Sequence, residues 1–166
     1  MRVGMLPCLF ALAFSACAYN PLLPDVRTPA DRAREMSPRC RGFAEDAASP
    51  LLARATIDSV EPAYSYVQSG PGDREARLRG ARIHVRPLPG LSRESIARAL
   101  ECHESRVVLG EVAASEQDPY VLAGHWLDVD ADSEGDGFVV QVEPVETADV
   151  GLAREVLARA RRFVSP

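Results

Sequence analysis

The chain has 166 residues, of which 46% are hydrophobic, so it is long enough for one compact domain and too short for two of ordinary size. Nineteen Lys and Arg against 24 Asp and Glu give a formal charge of −5, which argues against nucleic-acid binding because that function needs a basic surface. All 19 basic residues are Arg, and this excludes a P-loop lysine, a Schiff-base lysine and a lysine general base.

The N-terminal residues have the pattern of an export signal. Arg2 precedes an uncharged run from Val3 to Ala16. This apolar run is too short to span a bilayer and has the length of the hydrophobic region of a secretory signal peptide. It ends in Phe14-Ser15-Ala16-Cys17, which resembles the lipobox of bacterial lipoproteins, where small residues precede a cysteine that receives a lipid.

The resemblance covers residues 1–17 and implies how the chain is processed. Residues 1–16 would be the signal peptide and Cys17 the lipidated N-terminus of an outer-membrane or cell-envelope lipoprotein facing the periplasm. Ala16-Cys17-Ala18 also fits the small-residue rule for ordinary signal cleavage, which would release a soluble secreted protein. The stretch 17–29 contains three prolines, a density that favours an extended tether between the membrane and the domain.

Cysteine usage agrees with export. Cys8 lies in the predicted signal peptide and Cys17 would carry the lipid, so Cys40 and Cys102 are left as a pair. In an oxidising compartment such a pair is expected to form a disulfide, closing a loop of about sixty residues and contributing roughly 3–4 kcal/mol. The alternative is two free buried thiols in a cytosolic protein.

Residues 30–166 are predicted to form a single α+β domain, and its first half mixes helix and strand. Helical composition over 30–48 is interrupted by Pro38, which predicts a short helix before it and a second helix over 39–48. Strand-forming residues follow over 56–67, then a turn at 69–73 and an alternating strand over 81–86. Ser92 is a good N-cap for an amphipathic helix that runs to Leu109, with Gly110 as its C-terminal cap.

The second half repeats this order. Alternation predicts strands over 125–130 and 138–143, joined by a turn at 132–137, and Thr147 or Asp149 caps a final helix to Phe163. Ile83-His84-Val85-Arg86-Pro87 and Val140-Gln141-Val142-Glu143-Pro144 occupy matching places, each ahead of a helix. The sequence therefore predicts a small antiparallel sheet with two helices on one face, a duplicated ββα unit and short N-terminal helices.

Two groups of side chains are candidate metal ligands. His103 shares a helix face with apolar residues and His125 shares the parity of apolar strand positions, so both are expected to point inward, where they could bind Zn²⁺ or copper. The acidic run Asp130, Asp132, Glu134 and Asp136 approaches the start of a Ca²⁺ loop. Buried hydrogen-bonded histidines and a solvated acidic hairpin are the alternatives, and we expect no resident cofactor.

The strand face away from the helices is the candidate binding face. Parity places Arg82, His84, Arg86, Trp126 and Asp128 there. A charged face with one Trp is typical of a recognition surface, although cross-strand ion pairs would also explain it. Because the sequence contains no G-x-S-x-G, H-E-x-x-H or C-x-x-C motif, it favours a non-catalytic interaction module. Its expected partners are the membrane, through the lipid, and an envelope protein, peptide or glycan, with no nucleic acid.

Overall fold

The computed structural model describes residues 27–44, 47–70, 72–115, 117–146 and 149–164. The predicted signal peptide, Cys17 and most of the tether lie outside the described residues. In chain order the elements are α1 (Pro29–Met36), a 3₁₀ turn (Ser37–Cys40), a second 3₁₀ turn (Arg54–Thr56), β1 (Ile57–Gly70), β2 (Asp73–Val85), α2 (Arg93–Val108), β3 (Leu127–Glu134), β4 (Gly137–Pro144) and α3 (Val150–Val164).

The four strands form one antiparallel sheet in the order β1-β2-β4-β3. Two hairpins meet where β2 pairs with β4, and Ile83 lies opposite Val140. Helices α2 and α3 begin the same distance after these residues, at Arg93 and Val150 (93 − 83 = 10 and 150 − 140 = 10). The predicted α+β class is confirmed, and the ββα order occurs twice along the chain.

One face of the sheet carries the core. Alternate strand residues such as Ile83 and Val140, both fully buried, form one apolar cluster with Leu100 of α2 and Val156 of α3. Both helices therefore pack on the same face, as the period-two and helical patterns predict. Burying each large aliphatic side chain contributes about 1.5–3 kcal/mol.

Local caps fix where the two core helices begin. The Ser92 hydroxyl accepts a hydrogen bond from the Ser95 N–H, and the Ser95 side chain in turn accepts one from the Ser92 N–H. Gly110 follows α2 with φ +75°, which confirms the predicted end of that helix. Asp149 caps α3 by accepting from the N–H groups of Gly151 and Leu152. Thr147, the alternative cap, lies outside the described residues.

The disulfide prediction is confirmed. Cys40 and Cys102 are bonded, with their Cα atoms 5.5 Å apart and a sequence separation of 62. The bond attaches the 3₁₀ turn after α1 to α2, and the Ser105 hydroxyl donates to the Ala33 carbonyl at 2.9 Å nearby. Helix α1 is thereby fixed to α2 at two points.

The helix predicted over residues 39–48 is wrong. The chain forms a 3₁₀ turn that ends at Cys40, followed by turns and irregular chain among the described residues up to 52. Gly42 has φ +91°, a conformation that stops a helix, and Cys40 is held by its bond to α2. Helical composition is therefore overridden here by a covalent constraint and a turn.

Strand limits also differ from the predictions. β3 begins at Leu127 rather than His125 and continues to Glu134, so the turn predicted over 132–137 is reduced to Gly135-Asp136. β2 begins at Asp73 instead of Ala81 and pairs with β4 only from Ala81 onward. Residues 73–80 of β2 pair only with β1, so the β1–β2 hairpin projects beyond the four-stranded sheet.

Candidate binding site

A cavity lined by charged side chains and by Trp126 lies between α1 and the outer edge of β3, and we call it the edge groove. Its volume is about 410 Å³. β3 is the last strand in the sheet, so within the described chain its outer edge pairs with no other strand. The lining residues are Arg27, Arg32, Glu35, Met36, Arg39, Glu101, Trp126, Leu127, Asp128, Val129 and Asp130.

Arginines dominate the wall contributed by α1 and the turn that follows it. Arg32 lies on α1 and Arg39 in the 3₁₀ turn after it, and both line the edge groove. Arg27 bonds to Glu35 with an Nη1–Oε2 distance of 2.6 Å, so the end of the chain leading into α1 is held against the helix. This wall is therefore basic along its length.

Carboxylates form the opposite wall. Glu101 comes from α2, while Asp128 and Asp130 are alternate residues of β3 and project from the same face of that strand. Burial raises the pKa of Glu101, and Asp128 and Asp130 add to this effect, while Arg98 and Arg39 oppose it. Partial loss of water also raises the pKa of Asp128, although Arg32 and Arg79 oppose the shift. The nearby arginines therefore offset only part of the rise in the pKa values of Glu101 and Asp128.

Trp126 lines the edge groove together with Asp128, another member of the predicted binding face. It precedes the first residue of β3 and is only 6% exposed. The strand starts at Leu127, so the alternation of strand side chains between the two sheet faces does not apply to Trp126 and His125. His125, predicted to point inward, has a partly exposed side chain whose Nδ1 lies 3.9 Å from Glu146 Oε2.

The other members of the predicted binding face pair with acidic neighbours. Glu134 lies 2.8 Å from Nδ1 of His84 and 3.5 Å from Nη2 of Arg82, whereas Arg86 pairs with Asp58. The predicted five-residue face is thus divided, because Asp128 and Trp126 line the edge groove. Arg82, His84 and Arg86 thus pair with acidic residues, in agreement with the cross-strand ion pairs that the sequence gives as the alternative explanation of this face.

The candidate metal ligands are not brought together. His103 is buried as predicted, but its Nε2 lies 2.6 Å from Asp118 Oδ2. Asp130 lines the edge groove, Asp132 lies 3.5 Å from Arg93, and Asp136 is in the hairpin turn. Among the described residues no group of three or more His, Cys, Asp or Glu side chains is arranged to hold a metal ion.

Sequence reasoning missed Arg32, Arg39 and Glu101 as members of a site. A signal for two of them was present, since Arg39 precedes Cys40 and Glu101 precedes Cys102. A disulfide between the two cysteines brings the residues beside them close together, and Arg39 opposes part of the rise that burial causes in the pKa of Glu101. Arg32 had no such signal, because it enters the site only through the packing of α1.

No protein-family model, curated protein or solved structure matches the chain. In the part of the chain that the structure describes, no helix combines the length and apolar character needed to cross a membrane.

Proposed function

We propose that this protein is an exported cell-envelope lipoprotein that acts as a non-catalytic binding module. Its edge groove would take an extended segment of an envelope protein, peptide or glycan that carries a positively charged group. One observation carries the binding part of this proposal: a concave surface of about 410 Å³ lies along a free strand edge, between walls of opposite charge and beside the single Trp of the chain.

The chemistry of the groove favours a cationic group. Glu101 and Asp128 are carboxylates whose pKa values are raised, so a cation placed between them would stabilise their ionised forms. The arginines of the opposite wall would hold an anionic group of the same segment. Within the described chain the outer edge of β3 pairs with no other strand. The Leu127 and Ala131 N–H groups already donate to Glu104 and Asp130, so an extended chain would pair with the rest of this edge, as a peptide does when it adds a strand to a sheet.

Support for export comes from the disulfide and the N-terminal pattern together. The Cys40–Cys102 bond is of a kind that persists in the periplasm and outside cells and is rare in the cytosol. The apolar run over 3–16 and the lipobox-like residues ending in Cys17 are an independent feature of the sequence. Both agree with a domain held at a membrane by a proline-containing tether.

Trp126 provides the test, because it is the only Trp and it lines the edge groove. We would titrate the purified protein with tetralysine and, separately, with tetraglutamate while recording Trp fluorescence. We expect a saturable change with tetralysine, weakened about tenfold (about 1.4 kcal/mol) in Asp128→Asn. Asp58→Asn removes an exposed carboxylate outside the groove and should bind as the wild type does. Equal affinity in all three proteins, or no spectral change, would overturn the proposed groove.

A further inference from the structure

The hairpin of β1 and β2 ends in a projecting arm, formed by residues 62–70 of β1 and 73–80 of β2. Beyond Gly80 the arm pairs with no third strand in the described chain, because β2 meets β4 only from Ala81 onward. The exposed large hydrophobic side chains of the described residues are all on this arm: Tyr64 at 53%, Tyr66 at 71% and Val67 at 40%. The β1 side of the arm therefore exposes apolar side chains, whereas the β2 side carries charged residues such as Arg74 and Glu75.

Among the described residues the outer edge of the arm pairs with no strand, and it is uncharged. β1 is the first strand in the sheet order, so alternate residues direct their backbone N–H and C=O groups away from the sheet. Residues 62–70 include no Asp, Glu, Lys or Arg. Natural sheets usually protect such an edge with charges, prolines or β-bulges. Here the stretch begins at Pro62, and its pairing with β2 shifts register between Ala63 and Tyr64 and between Gln68 and Gly70, which leaves Tyr64–Gln68 in continuous register. An unprotected edge of this kind is a template for pairing with another strand.

We propose that this edge binds the same edge of a second copy of the chain. In antiparallel two-fold pairing centred on Ser65, Tyr64 lies opposite Tyr66 of the partner subunit, and Ala63 lies opposite Val67 of the partner subunit. No charged residue opposes another in this register, and the two Tyr pairs are of the aromatic cross-strand type that stabilises sheets. The result is one continuous sheet of eight strands with an isologous interface.

The other free edge cannot pair with itself in this way. Alternate residues of β3 are acidic: Asp128, Asp130, Asp132 and Glu134. Two copies joined through β3 would oppose carboxylates, which is destabilising. Since β1 and β3 are at opposite ends of the sheet, self-association through β1 leaves the edge groove open. The inference therefore goes beyond the proposed function and does not depend on it.

The proposed contact uses one short strand segment from each copy, so the dimer should be weak and concentration-dependent. We would introduce Ser65→Cys at the two-fold axis of the full chain and follow disulfide cross-linking under mild oxidation. Glu75→Cys, exposed on the inner strand of the same arm, is the matched control, and the wild-type chain sets the background. We expect dimer to form at least tenfold faster for Ser65→Cys than for Glu75→Cys.

A second measurement does not depend on cysteine chemistry. Sedimentation velocity should show the wild-type average mass rising with concentration, while Tyr66→Lys, an exposed change that adds a charge to the edge, should remain a monomer. Equal cross-linking at positions 65 and 75 with a concentration-independent monomer would overturn the inference. So would cross-linking of position 65 to a different protein only. Because the Trp126 titration reports the other edge, neither result changes the outcome for the edge groove.

Discussion

Nε2 of His103 lies 2.6 Å from Oδ2 of Asp118, and both side chains are buried. The second oxygen of Asp118 accepts from the Tyr120 N–H at 2.9 Å, and its backbone carbonyl accepts from Nε of Arg159 at 2.7 Å. One residue thus attaches the connection between α2 and β3 to both core helices. The position of Trp126, eight residues further along, depends on how this connection is held.

Removing the Asp118 carboxylate should be costly. Asp118→Ala leaves a buried histidine and a buried N–H without their partner, and we expect the free energy of unfolding to fall by about 2–4 kcal/mol. Asp58→Ala, which removes an exposed ion-pair partner, should change it by no more than about 1 kcal/mol. Urea unfolding measures both, and similar effects of the two substitutions would contradict a structural role for the His103–Asp118 contact.

Glu104 should make stability depend on pH. The residue is fully buried; Oε1 accepts from the Leu127 N–H at 2.7 Å, and Oε2 has no hydrogen-bond partner among the described residues. Burial raises the pKa of Glu104 well above its ordinary value of 4.5. The folded state therefore binds this proton more tightly, so the contribution of Glu104 to stability is greatest below pH 4.5 and is lost as the pH rises through the folded pKa.

Glu104→Gln tests this directly, because the amide carbonyl still accepts from Leu127. We expect the variant to be more stable than the wild type at pH 8 by about 1–2 kcal/mol, with the difference disappearing near pH 4. Glu94→Gln should behave oppositely: its side-chain bond to Arg93 holds the pKa of Glu94 to about 2, so that carboxylate stabilises the fold at neutral pH. Thermal unfolding between pH 4 and pH 8 measures these effects. A Glu104→Gln protein whose stability depends on pH as the wild type does would contradict the raised pKa of Glu104.

Gly80 is required by the close approach of two strands. A Cβ at this position would overlap the backbone carbonyl oxygen of Val142 on β4. Gly80→Ala must therefore separate β2 from β4, and we expect a loss of about 2–4 kcal/mol in unfolding free energy. Gly70→Ala is the control, since its added Cβ has its nearest contact at 3.8 Å, from the Asp73 side chain. An unaffected Gly80→Ala protein would show that the two strands do not meet as described.

The sequence predicts the elements that are determined by a local residue pattern, and it does not predict those that are determined by contacts with distant parts of the chain. Alternation in β2 and β4 and the Ser92 cap are local signals, and both are confirmed. Trp126 lies one residue before β3, where strand alternation does not decide whether a side chain is buried. Its large apolar ring is stabilised by burial beside α1, and no local pattern records that packing. The edge groove likewise needs tertiary contacts, apart from the residues that flank the disulfide.

Reducing the disulfide should affect both stability and the groove. Losing the Cys40–Cys102 bond should lower the free energy of unfolding by about 2–5 kcal/mol, because the unfolded chain gains conformational entropy. Arg39 and Glu101, the neighbours of the two cysteines, lie on opposite walls of the edge groove, so tetralysine binding should weaken as well. Melting curves and Trp126 titrations with and without reductant measure the two effects. Unchanged tetralysine affinity in the folded, reduced protein would show that binding in the groove does not depend on the disulfide.

Export with lipidation at Cys17 is the central proposal, and the most direct test is intact mass spectrometry of the protein purified from its native host. We predict a chain that lacks residues 1–16, carries acyl chains on Cys17 and leaves Cys40 and Cys102 resistant to alkylation until a reductant is added. A chain that retains Met1, has no lipid and is alkylated at both cysteines without reduction would contradict the proposal.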